Sequence, residues 1–214
     1  MNVEDIKKLK VLESGTTTVG VVCKDGVVIG AEKKATLGYL VASKESKKIF
    51  PIADHIALTT AGVWGDALAL VRYMKAELKL FEIRNKRKPG VRAAATLLSN
   101  ILQSGRWSPL PYMVHLVVAG FDKKPRIFMV DALGGMEEER RFLSTGSGSP
   151  IALGVLEKDY KDDMSVKEAE KLVVDSIKSA VERDITSGGR AIDVAVIEKD
   201  KIKIKTYDLE KLKK

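Results

Sequence analysis

Gly15-Thr16-Thr17-Thr18-Val19-Gly20-Val21-Val22-Cys23-Lys24-Asp25-Gly26-Val27-Val28-Ile29-Gly30-Ala31-Glu32 reads as a β-hairpin. Residues 17–23 and 27–32 are rich in β-branched side chains, and Asp25-Gly26 stands between them. Asp-Gly between two such runs is a strong hairpin signal. Both arms are apolar nearly throughout rather than alternating, so the hairpin asks to be buried on both faces.

The rest of the chain fits around that demand. Residues 39–43 and 56–60 have strand character. Over residues 65–88, Leu68, Val71, Met74, Leu78 and Phe81 recur at three- and four-residue steps, the period of a helix that Pro89-Gly90 stops. Residues 91–102 form a second helix with Ala94, Leu97, Leu98 and Ile101 on its apolar side. Residues 112–120 and 126–131 read as an antiparallel pair, and 141–145 as a strand leading into Gly146-Ser147-Gly148-Ser149. A short helix is expected over 151–156 and a long one over 165–183, where Ser165 is the N-cap and Glu168 completes a capping box. Residues 192–197 and 201–206 close the chain as a hairpin around Lys199-Asp200. Runs of strands alternating with pairs of helices indicate α+β, with two antiparallel sheets and helices outside them. No linker, repeat or low-complexity segment interrupts the chain, so one domain is expected.

Composition removes several function classes. No apolar run approaches the roughly 20 residues that span a bilayer. Residues 1–15 carry Lys7, Lys8 and Lys10 against Glu4, Asp5 and Glu13 and lack the apolar stretch of a secretory signal. Cys23 has no cysteine to pair with, which suits a reducing cytoplasm. The net charge is +8, but from residue 199 onward seven lysines face Asp200, Asp208 and Glu210, so half the excess sits in a basic C-terminal tail. A second group, Arg84, Lys86, Arg87, Lys88 and Arg92, straddles a helix end, where cations complement the dipole. Neither group is interleaved with stacking aromatics, so nucleic acid is not expected as a partner. There is no metal-ligand spacing of His, Cys and acids, and Gly146–Ser149 lacks the lysine of a phosphate-binding loop. His55 and His115 are left out of the candidate site, His115 as a structural strand residue.

Three threonines opening a strand can be no more than good β-formers. They can also be a catalytic device. A threonine hydroxyl is a weak nucleophile until a base takes its proton, and a free α-amine on the same residue can do so. That amine titrates near pH 8. A peptide bond abolishes it, so Thr16 would serve only as the first residue. Gly15 suits such a cut, because it leaves the Thr16 hydroxyl room to attack the preceding carbonyl.

The run from Gly15 to Val28 resembles the processing site and first hairpin of archaeal proteasome β subunits. The resemblance continues through Glu32-Lys33-Lys34-Ala35-Thr36, Lys47-Lys48-Ile49-Phe50, Thr59-Thr60-Ala61-Gly62, Gly65-Asp66-Ala67, Gly146-Ser147-Gly148-Ser149 and Arg183-Asp184. It covers residues 16 to about 197, and the number and order of the blocks make it specific. It implies the N-terminal-nucleophile fold, a four-layer αββα sandwich, with residues 1–15 as a prosegment and 16–214 as the peptidase domain. Position by position, it implies Thr16 as nucleophile and base, Lys48 as the catalytic lysine and Glu32 as its acidic partner. Ser147, Asp184 and Ser187 would tether the new amine, and the Gly62 N–H would be the oxyanion donor. Lys33, Lys34 and Lys47 are left as surface residues. Ala35, Ser46, Phe50, Thr60 and Trp64 would line the pocket for the side chain before the cut. Trp64 either fills that pocket, excluding large apolar side chains, or packs on the long helix. The stretch Arg106-Trp107-Ser108-Pro109-Leu110-Pro111 is longer than the family pattern.

The resemblance implies no cofactor or metal. It implies stacked seven-membered rings, two of β subunits between two of α subunits, with unfolded polypeptides delivered by an ATPase. The alternative within the same ring is an unprocessed, catalytically silent structural subunit. A third possibility is an N-terminal-nucleophile amidase acting on small amides outside any ring.

Overall fold

Two five-stranded antiparallel sheets stack on each other, with helices covering both outer faces. The computed structural model describes residues 15–213, so all of the expected prosegment except Gly15 lies outside the described residues. In chain order the strands are β1 (Thr18–Cys23), β2 (Gly26–Glu32), β3 (Ala35–Leu37), β4 (Leu40–Ser43), β5 (Ile49–Ala53), β6 (Ile56–Gly62), β7 (Val114–Phe121), β8 (Pro125–Val130), β9 (Met136–Glu139), β10 (Phe142–Thr145), β11 (Ala191–Glu198) and β12 (Lys201–Asp208). The helices are α1 (Trp64–Asn85), α2 (Val91–Gly105), α3 (Ser149–Asp159) and α4 (Val166–Val181). One sheet runs β10-β1-β2-β11-β12 and the other β5-β6-β7-β8-β9, while β3 and β4 form a separate two-stranded ribbon.

The apolar hairpin receives the double burial it needs. Ile29, Val27, Ala195 and Ile197 of the first sheet meet Ile49, Val117 and Ile127 of the second in the central core. On the far side of the first sheet, Val19, Val21, Val28 and Val194 pack beneath Leu156 of α3 and Val173 and Ile177 of α4. On the far side of the second, Leu58, Leu116 and Phe128 pack beneath Leu70 and Met74 of α1 and Leu98 of α2. Each buried Val, Leu, Ile, Phe or Met among them contributes about 1.5–3 kcal/mol by leaving water. This is the αββα arrangement. No described helix is long and apolar enough to cross a membrane.

The differences from the sequence reading have local causes. β5 carries Pro51, which cannot donate to a ladder, and it lies at the edge of its sheet with a register irregularity beside the proline. β9 reads Met-Glu-Glu-Glu and lies at the opposite edge, where Glu138 pairs with both Arg92 and Arg126. α1 ends at Asn85 because Lys86 turns into the left-handed region, φ 51°. α3 starts before residue 151 because Pro150 is preorganised for a first turn. The capping box of Ser165 and Glu168 is present.

Candidate active site

β1 begins only at Thr18, so Gly15, Thr16 and Thr17 extend past the sheet. The register brings Thr18 opposite both Ala31 of β2 and Thr145 of β10. The end of β2 therefore places Glu32 beside Thr17, and the turn after β10 places Ser147 beside Thr16. Lys48 enters from just ahead of β5, where its carbonyl accepts from the Thr60 N–H at 3.0 Å.

Thr16 is buried, and its Oγ1 receives a hydrogen bond from Lys48 Nζ at 2.9 Å. The same ammonium reaches the Gly15 carbonyl oxygen at 3.4 Å and forms a short ion pair with Glu32 Oε1. One cation thus touches the hydroxyl, the carbonyl of the preceding peptide and a carboxylate. Lys48 is 3% exposed and Glu32 0%, so both charges are out of water. Burial pushes the Glu32 carboxyl up, against the Lys48 charge and the hydrogen bonds it accepts. Burial pushes Lys48 down, against the pull of Glu32. Glu32 is richly supplied with donors: the N–H of Thr17 at 3.3 Å, of Lys34 at 2.6 Å and of Gly188 at 2.9 Å. Those donors fix the carboxylate, and the carboxylate fixes Lys48.

On the other side, the Thr16 N–H donates to Ser147 Oγ at 3.2 Å. Ser147 and Ser187 each donate to Asp184 Oδ2 at 2.6 Å. Asp184 and Ser187 thus stand one step behind: Asp184 holds Ser147, and Ser187 also meets Thr17 Oγ1 at 2.7 Å. Burial raises the Asp184 carboxyl, but hydrogen bonds from Ser147, Ser187 and Thr186 outweigh it and hold it below the usual aspartate range.

A cleft of about 760 Å³ opens on Thr16 and is lined by Gly15, Gly62, His115, Asp131, Ser147 and Thr186 among others. Gly62 has φ +111°, and a Cβ there would lie 2.3 Å from the Met113 carbonyl, so this corner admits only glycine. His115 belongs to β7 as read, yet its side chain is exposed and lines this cleft instead of packing in a core. His55 is buried and bonded to the Pro89 carbonyl at 2.8 Å. Period-two alternation within β7, with Val114 and Leu116 both buried, is the signal that turns His115 outward.

Ala35, Ser46, Phe50, Thr60 and Trp64 do not line that cleft. Ala35 lies on β3, Ser46 just ahead of β5, Phe50 on β5 and Thr60 on β6, and Trp64 opens α1. Trp64 is 40% exposed and its ring lies 6.4 Å from that of Phe50. Lys47 is exposed as expected, but Lys33 and Lys34 are half-buried. Lys33 pairs with Asp193 at 3.0 Å, and Lys34 donates to the Ile185 carbonyl at 2.6 Å, bracing the 184–187 loop. Thr186, in that loop, is, like His115, a cleft residue that sequence reasoning passed over.

Comparison with known proteins agrees with this architecture. The family profile described as proteasome subunit matches residues 12–197. A proteasome subunit beta of Archaeoglobus profundus is 54% identical over 187 residues, covering 87% of this chain and 86% of that protein. A proteasome subunit beta of Methanocaldococcus jannaschii is 50% identical over 201 residues, 92% of this chain and 88% of its own. One from Ferroglobus placidus is 47% identical over 197 residues, 92% and 93% of the two chains.

Proposed function

Because this chain belongs to the proteasome subunit family, we propose that it is a threonine peptidase of the proteasome core that first cuts its own Gly15–Thr16 bond. The observation that carries the proposal is Lys48 Nζ bridging Thr16 Oγ1 and the Gly15 carbonyl oxygen. In the uncut chain the Thr16 nitrogen is an amide and cannot act as base. Lys48 takes that role: burial favours its neutral form, and it stands within hydrogen-bond reach of the hydroxyl. Thr16 Oγ1 attacks the Gly15 carbonyl carbon and its proton passes to Lys48. The C–N bond then breaks as the nitrogen receives a proton, leaving residues 1–15 as an ester on Thr16. Water hydrolyses the ester, releasing the prosegment as a carboxylate and freeing the α-amine.

In the mature enzyme that amine lies beside Ser147 and becomes the base, while charged Lys48 stabilises the developing alkoxide. The Gly62 N–H serves as oxyanion donor, a contribution of about 10²–10³ in rate. Trp64, exposed beside Phe50, fills the pocket before the cut, so small residues are preferred there to Phe or Leu. Substrates are unfolded polypeptides admitted by an ATPase acting on a ring of α subunits, and the working particle is a stack of seven-membered rings. Exposed Leu37, Tyr39, Leu40 and Val41 on the β3–β4 ribbon support a neighbouring subunit as cover. The basic C-terminal tail belongs to the same peptidase domain, residues 16–214, and the protein acts in the cytoplasm.

The test is peptide hydrolysis by the particle assembled with α subunits. Lys48→Ala is expected to reduce kcat at least about 10²-fold, the usual worth of a positioned acid–base group. Activity equal to the parent would remove Lys48 from the mechanism.

A further inference from the structure

We infer that Thr186 is a positioning residue that restricts position 15 to glycine, and so determines which peptide bond the chain can cut; this rests on the self-cutting reading above. A Cβ added at Gly15 would lie 1.9 Å from Thr186 Oγ1 and 2.0 Å from Thr186 Cβ. Both distances are far inside van der Waals contact. Thr186 cannot step aside without loss. Its Oγ1 stands 3.0 and 3.2 Å from the two Asp184 oxygens and 2.8 Å from Ser147 Oγ, and its N–H donates to Asp184 Oδ1 at 3.2 Å. Rotating χ1 would take Oγ1 out of this network, but Cβ is fixed by the backbone and would still collide.

Two responses are left to a larger residue 15. Either the 184–187 loop retreats, loosening Asp184 and with it the Ser147 that receives the Thr16 N–H. Or residue 15 shifts, taking its carbonyl from Lys48 and its N–H from Thr36 Oγ1, now 3.3 Å away. Each response spoils the line of attack, and a displacement of about 1 Å at a reacting centre costs on the order of 10²-fold. Thr186 thereby couples the residue before the cut to the group that will hold the new amine.

The experiment follows processing by intact mass in parent, Gly15→Ala, Thr186→Gly, Gly15→Ala/Thr186→Gly and Gly15→Ala/Thr186→Ala particles assembled with α subunits. Gly15→Ala is expected to be cut about 10²-fold more slowly than the parent. Pairing it with Thr186→Gly should restore cutting to within about tenfold of Thr186→Gly alone. Pairing it with Thr186→Ala should not, because the offending Cβ remains. Gly15→Ala cut at the parental rate, or equal rescue by Ala and Gly at position 186, would overturn the inference. A crystal structure of Gly15→Ala in the Thr16→Ala background judges it without any cutting, even if Thr186→Gly does not fold. Displacement of Thr186, or loss of the contact between Lys48 and the residue-15 carbonyl, is expected; both left in place would overturn it. An uncut parent would count against self-cutting, while that crystal structure still decides the role of Thr186.

Discussion

Lys48 works between opposed influences: burial drives it toward neutrality and Glu32 holds it charged. The sign of a pH effect follows. If Lys48 must accept the Thr16 proton in the uncut chain, processing rises with pH through the Lys48 pKa, which lies below the ordinary 10.5. Glu32→Gln removes the negative charge that raises that pKa, so the midpoint of the processing-rate profile should move to lower pH. Single-turnover processing measured across pH checks this; a midpoint moving upward would contradict the base role. Asp184 behaves oppositely. Its folded pKa is depressed, so its contribution to stability is complete above the unfolded value and is lost only as pH falls through the lowered one. Ser147 should therefore stay anchored through the neutral and mildly acidic range. Of these groups, the chemistry of an N-terminal threonine singled out Thr16, while Glu32, Lys48, Ser147, Asp184 and Ser187 were reached only through the resemblance to archaeal proteasome β subunits. What no single position conveys is that Ser147 touches Thr16 directly while Asp184 acts through it, or that Thr186 and His115 share the cleft. The places of Asp184 and Thr186 arise from the 184–187 loop meeting Ser147, beyond the reach of local spacing, whereas His115 follows from the alternation of β7.

At the scale of elements, strong periodicity was readable and weak edges were not. The β1–β2 hairpin, α1 and the capped α4 follow from the two β-branched runs, the Leu68-to-Leu78 period and the Ser165–Glu168 box, although the hairpin turns at Lys24-Asp25 and Gly26 of β2 already pairs with Cys23. β5 and β9 escaped because Pro51 and the Glu-rich 136–139 stretch look unlike strands, and both are edge strands, where pairing asks for less. The cap gives a prediction at this scale. Ser165→Ala should destabilise the fold by about 1 kcal/mol, read in chemical denaturation, with processing unchanged. A loss several times larger would mean that the α4 N-terminus carries more than its cap.

At the scale of the molecule, the uncovered features point outward. Leu37, Tyr39, Leu40 and Val41 present apolar surface from the two-stranded β3–β4 ribbon, which lies outside both sheets. Lys88, from the basic group that straddles the end of α1, pairs with Asp200 between β11 and β12 at 2.6 Å. Leu40→Asp should weaken subunit association and shift sedimentation toward smaller species while leaving monomer stability within about 0.5 kcal/mol. Unchanged particle size would rule the ribbon out as a contact.

The self-cutting claim is tested most directly by intact mass of the chain assembled with α subunits, beside its Thr16→Ala variant. Loss of residues 1–15 in the parent and their retention in the variant is the expected result. A parent that keeps them within a complete particle would contradict it, and would leave the chain a structural member of the ring.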